Sequence, residues 1–191
     1  MITDTDQTIL DNTRHWLEQA VIGLNLCPFA KAPYRKDLVR MVVSHACHID
    51  AFLERLDLEL QILLDMPAET VETTLLIESS LFGDFMTFND MLDLADQALI
   101  DNHAEGIVQI ASFHPHFCFA DAADNDITNY TNRSPYPTLH LIRETSIDKA
   151  VAAIPNAADI FERNKTLLHT MGIEGWQALG ITYPPSSDTH S

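Results

Sequence analysis

The stretch GIVQIASFHPHFCFADAADNDITNYTNRSPYPTLHLIRE, Gly106–Glu144, decides how this chain can fold. Two short apolar segments within it, Ile107–Phe113 and Thr138–Glu144, have the length and composition of β-strands. A loop of more than twenty residues joins them, and no helix is predicted between them. Because a parallel neighbour usually requires a helical crossover, the second segment is expected to run antiparallel to its neighbour.

Upstream of this stretch, strands and helices alternate. Leu38–Ala46 and Thr73–Glu78 are predicted to be the first two strands, and helical patterns precede and follow each of them. Such strand–helix–strand units favour right-handed crossovers between parallel strands. The sequence therefore predicts an α+β fold close to the α/β type. Its small mixed sheet has about four strands, the first three parallel with helical crossovers and the fourth antiparallel, and about five helices cover it.

The predicted helices follow from apolar residues at helical spacing. The first covers about residues 6–23, and Gly23 and Pro28 can end it. Asp50 and Asp84 are the expected N-caps of the second and third helices. Two further helices follow Glu144.

One domain is expected over residues 5–180, followed by a frayed tail over 181–191, because 191 residues suffice for one well-buried core. The formal net charge of −17 argues against nucleic acid and membrane surfaces as partners, since it repels phosphates and anionic headgroups. No secretion signal or membrane-length apolar run is present in the sequence. Three cysteines are too few for a disulfide framework, so a cytoplasmic location is expected.

Polar side chains gather where the first three strands end. They are His45 and His48; Glu78, Ser79 and Ser80; and His114 and His116. The carboxyl ends of parallel strands meet at one edge of a sheet, where open sheets bind ligands. The long loop starts at that edge, so Arg133 and His140 are expected to lie nearby. The sequence therefore predicts a ligand site at this edge, with Glu78 among its binding residues.

A metal site is one interpretation of the loop. His114 and His116 are one residue apart, and extended backbone can place both imidazoles on one side. Asp121 or Asp124 could complete a three-ligand site with an open position, which suits Zn²⁺ or another divalent transition metal. Pro115 can also turn the two rings apart, and a histidine near a strand end is often only a hydrogen-bonded surface group. Both interpretations stay open.

Arg133 lies between stiffening prolines in the segment TNRSPYP, residues 131–137. Its planar guanidinium matches a carboxylate or phosphate, so a small anionic molecule is the expected ligand, with Asn132 and Ser134 beside it. The alternative is that Arg133 pairs with a loop aspartate and holds the loop in place. His140, on the fourth strand, could be a general base, although a hydrogen-bonded core histidine is favoured.

Cys27 follows the first helix in GLNLCPFAKAP, Gly23–Pro33. Four basic residues come soon after it: Lys31, Arg35, Lys36 and Arg40. Positive neighbours favour the thiolate, which would make Cys27 reactive. The alternative is a buried cysteine that acts as a small apolar side chain.

Three of these segments resemble one known family. GLNLCPFAKAP (Gly23–Pro33), QIASFHP (Gln109–Pro115) and TNRSPYPTLHLIRE (Thr131–Glu144) resemble, in this order, the bacterial domain-of-unknown-function family 1415. The likeness runs roughly from Trp16 to Trp176. It implies one domain and a bacterial cytoplasmic setting, and it brings no activity, cofactor or catalytic residue with it.

The function expected from these observations is that of a small-molecule enzyme whose reaction stays open. Arg133 would anchor an anionic substrate, and His114, His116 and His140 with a loop aspartate would form a metal site or an acid–base pair. One alternative is a ligand-binding or regulatory module that uses the same pocket without turnover. Another is thiol chemistry at Cys27, which joins His114 and His140 as a candidate catalytic residue.

Overall fold

A mixed β-sheet forms the centre of the computed structural model, which describes residues 4–152 and 158–183. Its four strands are β1 (Val39–Ser44), β2 (Thr73–Glu78), β3 (Val108–Phe113) and β4 (Thr138–Arg143). They lie side by side in the order β1-β2-β4-β3. β1 and β2 form a parallel pair, and β4 pairs antiparallel with both β2 and β3.

The predicted α+β class and the small mixed sheet of four strands are confirmed, but the predicted pairing is wrong in detail. Only β1 and β2 form a parallel ladder, whereas three parallel strands were expected. The chain returns from β3 without an α-helix, and β4 lies directly beside β3, from Val108 opposite Arg143 to Phe113 opposite Thr138. β4 thereby separates β3 from β2. β3 still points in the same direction as β2, because β4 is antiparallel to both of them. β1 shares this direction, since it is parallel to β2.

Six α-helices surround the sheet in the described part of the chain. They are α1 (Asp4–Trp16), α2 (Lys31–Arg35), α3 (Ile49–Asp65), α4 (Phe85–Asp101), α5 (Glu144–Ala152) and α6 (Ala158–Gln177). α1 continues as a π-helix over Leu17–Ile22, and α6 is interrupted at Gly172. A short 3₁₀-helix, Ile127–Thr131, lies within the long loop. The sequence predicts about five helices; it indicates a turn rather than a helix where α2 lies.

The helix caps agree with the sequence in one case of two. Asp84 caps α4, because its side chain accepts a hydrogen bond of 2.7 Å from the Thr87 amide. The prediction for α3 is wrong, since His48 is its cap and Asp50 lies in the first turn. His48 Nδ1 accepts from the amide three residues on, at 3.2 Å, as a capping oxygen would.

Helices cover both faces of the sheet, and this explains why the strands lack a polar–apolar alternation. All six residues of β2 are buried. On one face, Leu76, Leu139 and Leu141 pack against α3 and α4. On the other face, Leu75 and Ile77 belong to a second cluster; its members from the helices include Trp16, Leu17, Leu168 and Trp176. Burying each large apolar side chain contributes roughly 1.5–3 kcal/mol.

A buried carboxylate ties α3 to the outer strand β1. The side chain of Glu59 is completely buried, and it accepts hydrogen bonds of 2.7 Å from Arg40 Nε and 2.7 Å from Arg55 Nη2. The two guanidinium groups are about one-third exposed, at 36% and 34%. The carboxylate therefore depends on two cations that water still reaches.

The predicted frayed tail over 181–191 lies outside the described residues, apart from 181–183. Within the described ranges, none of the helices has both the length and the apolar character needed to cross a lipid bilayer.

Candidate functional site

A cavity of about 380 Å³ lies against one face of the sheet. It is bounded by the π-helical end of α1, the segment leading into α2, and the first turns of α5. Most of its walls are apolar; they include Trp16, Leu17, Val21, Leu75, Phe113 and Ile142. Its polar side chains include Cys27, Thr73 and His140. The size and the apolar lining are those of a small-molecule site.

The π-helix Leu17–Ile22 shapes one wall of the cavity, and Gly23 makes this geometry possible. A Cβ atom on Gly23 would lie 2.3 Å from the carbonyl oxygen of Gln19 and 2.8 Å from that of Glu18. Backbone atoms cannot give way as a flexible side chain would, so only glycine fits here. π-Helical turns occur frequently at functional sites. The sequence indicated Gly23 only as a helix stop.

His140 lines this cavity, and one of its two ring nitrogens is hydrogen-bonded. Its Nε2 lies 2.6 Å from Thr73 Oγ1, and the same hydroxyl donates to the carbonyl oxygen of Leu141 at 2.7 Å. Since a hydroxyl has one proton, Nε2–H is the donor to Thr73 and Nδ1 keeps its lone pair. Nδ1 makes no hydrogen bond to any residue within the described ranges. Burial lowers the pKa of His140 to about 4, so the ring is neutral at neutral pH.

Cys27 also lines the cavity, and it does so as a protonated thiol. Burial raises the pKa of Cys27, and hydrogen bonds from the amides of Phe29 and Ala30 oppose that effect only in part. The basic residues that follow it in the sequence are not among the causes of the shift. Of the two interpretations that the sequence leaves open, burial therefore favours the apolar cysteine.

Two charged side chains, Glu72 and Lys149, complete the lining. Lys149 is exposed, on α5, and Glu72 directly precedes β2. Tyr34 is a further polar neighbour, but its hydroxyl already donates to Glu18 Oε1 at 2.6 Å. Burial, with help from Glu18, raises the pKa of Tyr34 to about 12, so it stays protonated.

His114 lies on the opposite side of the sheet from this cavity, packed between the rings of Phe85 and Phe88. It is completely buried. Its Nε2 lies 2.8 Å from the carbonyl oxygen of Phe82, and its Nδ1 accepts from the His116 amide at 3.0 Å. Both ring nitrogens are occupied, which fixes a neutral ring with the proton on Nε2. Burial lowers the pKa of His114, and this favours the same form.

The four residues of the expected metal site do not form a ligand group. The rings of His114 and His116 are 5.9 Å apart, centroid to centroid, and tilted by 52°. His116, Asp121 and Asp124 are exposed. Asp124 Oδ1 instead lies 3.5 Å from the sulfur of Cys118. Across residues 4–152 and 158–183, no three histidines, cysteines or carboxylates are grouped so that they could hold a metal ion.

Arg133 holds the long loop together through backbone carbonyl groups. Its Nε donates to Phe117 at 3.1 Å and its Nη2 to Asp124 at 2.8 Å. The guanidinium also lies over the ring of Tyr130, 4.5 Å from its centroid. This geometry matches the loop-holding alternative, except that the partner is the carbonyl group of Asp124 rather than its carboxylate.

The other three predicted binding residues also make internal contacts. Asn132 donates to the Ser112 carbonyl at 3.2 Å, and Ser134, which is buried, donates to the Tyr136 carbonyl at 2.6 Å. Glu78 is buried, and its Oε1 accepts from the amides of Ser80 and Leu81. Its Oε2 has no partner among the described residues.

The structure thus separates what the sequence grouped together. His140 and Cys27 share the cavity, whereas His114, Arg133 and Glu78 do not line it. Thr73 is a member of the site that the sequence analysis missed. It is 67 positions from His140 in the chain, and only the register of β2 against β4 brings the two together.

One comparison with known proteins covers most of this chain. The family described as "Protein of unknown function (DUF1415)" matches residues 8–178, which include all four strands and the residues around the cavity. The chain has no match among curated proteins or among solved structures. A match over this much of the chain shows the family, and the protein belongs to the DUF1415 family.

Proposed function

We propose that the protein binds a small, mainly apolar molecule in the cavity that Cys27 and His140 line. The observation that carries this proposal is a neutral imidazole with an unbonded Nδ1 in a site whose walls are mostly apolar. Sites of this kind use apolar walls for affinity and a few placed polar groups for orientation. The ligand would therefore carry a hydroxyl or N–H group that donates to His140 Nδ1.

A neutral ligand suits this site better than an anion. The net charge of −17 produces a field that repels anions at long range. Among the described lining residues Lys149 is the cation, and it is exposed, while the carboxylate-bearing Glu72 also lines the cavity. The anionic substrate expected at Arg133 remains a prediction, with less support, because that guanidinium already donates to two carbonyl groups.

For His140, a role in ligand binding is favoured over a role as a catalytic base. A general base works best when its pKa is close to the working pH. With a pKa of about 4, His140 would be a weak base near neutrality, although it remains a good hydrogen-bond acceptor. Cys27 is held as a thiol, which weakens it as a nucleophile. An enzyme that uses His114, His140 or Cys27 remains a prediction beside this proposal.

Trp16 offers a direct optical test, because it lines the cavity and the chain has only two tryptophans. In a Trp176→Phe background, Trp16 is the single tryptophan. We expect 2-naphthol to change its emission and to bind more tightly than 2-methoxynaphthalene, which lacks the donor. Loss of one neutral hydrogen bond corresponds to about a fivefold difference in affinity. The His140→Phe variant should remove that difference.

Cysteine alkylation provides an independent measurement on the same samples. Bound 2-naphthol should protect Cys27 from iodoacetamide and leave the exposed Cys47 unprotected, as read by peptide mass spectrometry. Equal behaviour of Cys27 and Cys47, together with unchanged Trp16 emission up to the solubility limit, would show that the cavity does not take such molecules. Equal affinity of the two naphthalenes in wild type would remove His140 from the proposal.

A further inference from the structure

A second group of side chains assembles at the other end of β2 from the cavity. His45 directly follows β1, Ser79 directly follows β2, and Asp6 lies on α1. The parallel register that places Ser44 beside Glu78 brings the next residue of each strand together. Three elements that are far apart in sequence thus meet at the carboxyl ends of β1 and β2.

The three side chains form one chain of hydrogen bonds. His45 Nε2 is bonded to Asp6 Oδ1, and His45 Nδ1 lies 2.6 Å from Ser79 Oγ. A carboxylate can only accept, so in the neutral ring Nε2 carries the proton and Nδ1 presents its lone pair to Ser79. In this arrangement a carboxylate orients a histidine, and the histidine can remove the proton of a serine hydroxyl. Serine nucleophiles are activated in this way.

The Ser79 hydroxyl donates to the Ser44 carbonyl and has His45 Nδ1 as a second, nearer acceptor. Ser79 Oγ lies 3.0 Å from the carbonyl oxygen of Ser44, longer than its 2.6 Å contact with His45. That carbonyl already accepts the Ser79 amide at 3.1 Å. Rotation about the Cβ–Oγ bond can turn the hydroxyl proton from that carbonyl to His45 Nδ1, which is already within hydrogen-bond distance.

We propose that Asp6, His45 and Ser79 form a nucleophilic site that reacts with small, uncharged carboxylic esters. The group is open to reagents, because the side chain of His45 is 47% exposed and Ser79 is partly exposed. Uncharged substrates are favoured, since the net charge of −17 repels anions. This site goes beyond the proposed binding function and shares none of its residues.

The chemistry needs no other reactant than the ester and water. Ser79 Oγ attacks the carbonyl carbon while its proton passes to His45 Nδ1, and Asp6 stabilises the imidazolium. The ester C–O bond then breaks, and the leaving alcohol takes the proton from His45. Water attacks the acyl-serine in the same way, which releases the carboxylic acid and restores the Ser79 hydroxyl.

A fluorophosphonate tests the nucleophile directly, because Oγ attack on phosphorus expels fluoride and leaves a stable adduct. We expect the adduct on Ser79 and not on Ser80, which is the more exposed of the two hydroxyls and makes no hydrogen bond to His45. His45→Gln should slow labelling by about a hundredfold or more, the range of acid–base assistance. Asp6→Asn, which removes the charge and keeps the size, should slow it by about tenfold or more.

The controls separate chemistry from folding. Ser80→Ala should label at the wild-type rate, and circular dichroism with thermal unfolding should show that each variant is folded. Wild type should also release p-nitrophenol from p-nitrophenyl acetate in a burst that Ser79→Ala lacks. An unlabelled wild type, an adduct on Ser80, or equal labelling rates in wild type and a folded His45→Gln variant would each overturn the proposal.

Discussion

The Thr73 hydroxyl and His140 Nε2, 2.6 Å apart, join β2 to β4 diagonally on the face of the sheet that carries the cavity. The same hydroxyl donates to Leu141 at 2.7 Å, so it accepts the imidazole proton. This arrangement selects the tautomer of His140 and leaves Nδ1 unbonded. One threonine thereby determines which ring nitrogen a ligand can reach.

Replacing Thr73 by valine tests that relationship, because valine keeps the shape and removes the hydroxyl. We expect Thr73→Val to lower the free energy of unfolding by about 1–2 kcal/mol, since buried groups lose hydrogen bonds. ¹⁵N-correlated NMR of the imidazole should show a single Nε2–H tautomer in wild type and a mixture in the variant. An unchanged tautomer would mean that Thr73 does not determine it.

Acid should destabilise the protein partly through His140. Its pKa is lowered from 6.5 to about 4 by folding, so the unfolded chain binds the proton at higher pH than the folded chain does. This contribution to stability is fully present above about pH 6.5 and is lost as the pH falls toward 4. His140→Gln should therefore show a shallower loss of stability than wild type over that window. The difference should be on the order of 1–3 kcal/mol, allowing for water in the cavity.

Urea unfolding at a series of pH values measures this difference. The exposed His169 on α6 provides a matched control, because His169→Gln removes a histidine outside the cavity lining. Its pH profile should follow that of wild type. If the profile of His140→Gln is equally steep, the His140 ring is not held neutral by the fold.

Gly23→Ala should disturb the cavity wall itself. The new Cβ would meet the Gln19 carbonyl oxygen at 2.3 Å, so the π-helical turn must shift, at about 1–3 kcal/mol of stability. Gly106→Ala is the matched control: its Cβ meets nothing within 4 Å, and only the strain of φ +70° remains, about 1 kcal/mol. Only Gly23→Ala should change the emission of Trp16. Equal Trp16 emission in both variants would mean that Gly23 does not determine the shape of the cavity.

The general architecture could be predicted from local patterns. The lack of an α-helical pattern between β3 and β4 predicts antiparallel pairing, and Asp84 has the residue type of a helix cap. Local patterns do not say on which side of a neighbour a returning strand lies. The position of β4 between β2 and β3 was therefore missed. The π-helix was missed as well, because Leu17–Ile22 has the apolar spacing of an ordinary helix.

The candidate site was less predictable, because side-chain partners depend on register and depth. His114 has the appearance of a ligand in the sequence, but its Nε2 lies 2.8 Å from the Phe82 carbonyl. Cys27 and His140 were both chosen on chemical grounds, and nothing in the sequence indicated that they share a cavity. Asp6 is 39 positions from His45, so their contact had no sequence signal.

The ion pairs of Glu59 with Arg40 and Arg55 should contribute to stability in a strongly non-additive way. Arg40→Met or Arg55→Met alone leaves the buried carboxylate with one cation, so each should cost about 1 kcal/mol. The double variant leaves an unpaired buried charge, which costs about 3–5 kcal/mol. The loss in the double variant should therefore exceed the sum of the two single losses by about 1–3 kcal/mol. This excess measures how strongly the two arginines are coupled through the same carboxylate.

A third substitution identifies the charge as the cause. Glu59→Gln in the double-variant background replaces the carboxylate by a neutral amide of similar shape, so it should recover most of the excess. Urea unfolding at neutral pH gives all the free energies that are needed. If the loss of unfolding free energy in the double variant equals the sum of the two single losses within about 0.5 kcal/mol, Arg40 and Arg55 stabilise Glu59 independently. If Glu59→Gln recovers no stability, the unpaired charge of Glu59 is not what weakens the double variant. The loss would then come from the packing of the arginine side-chain stems.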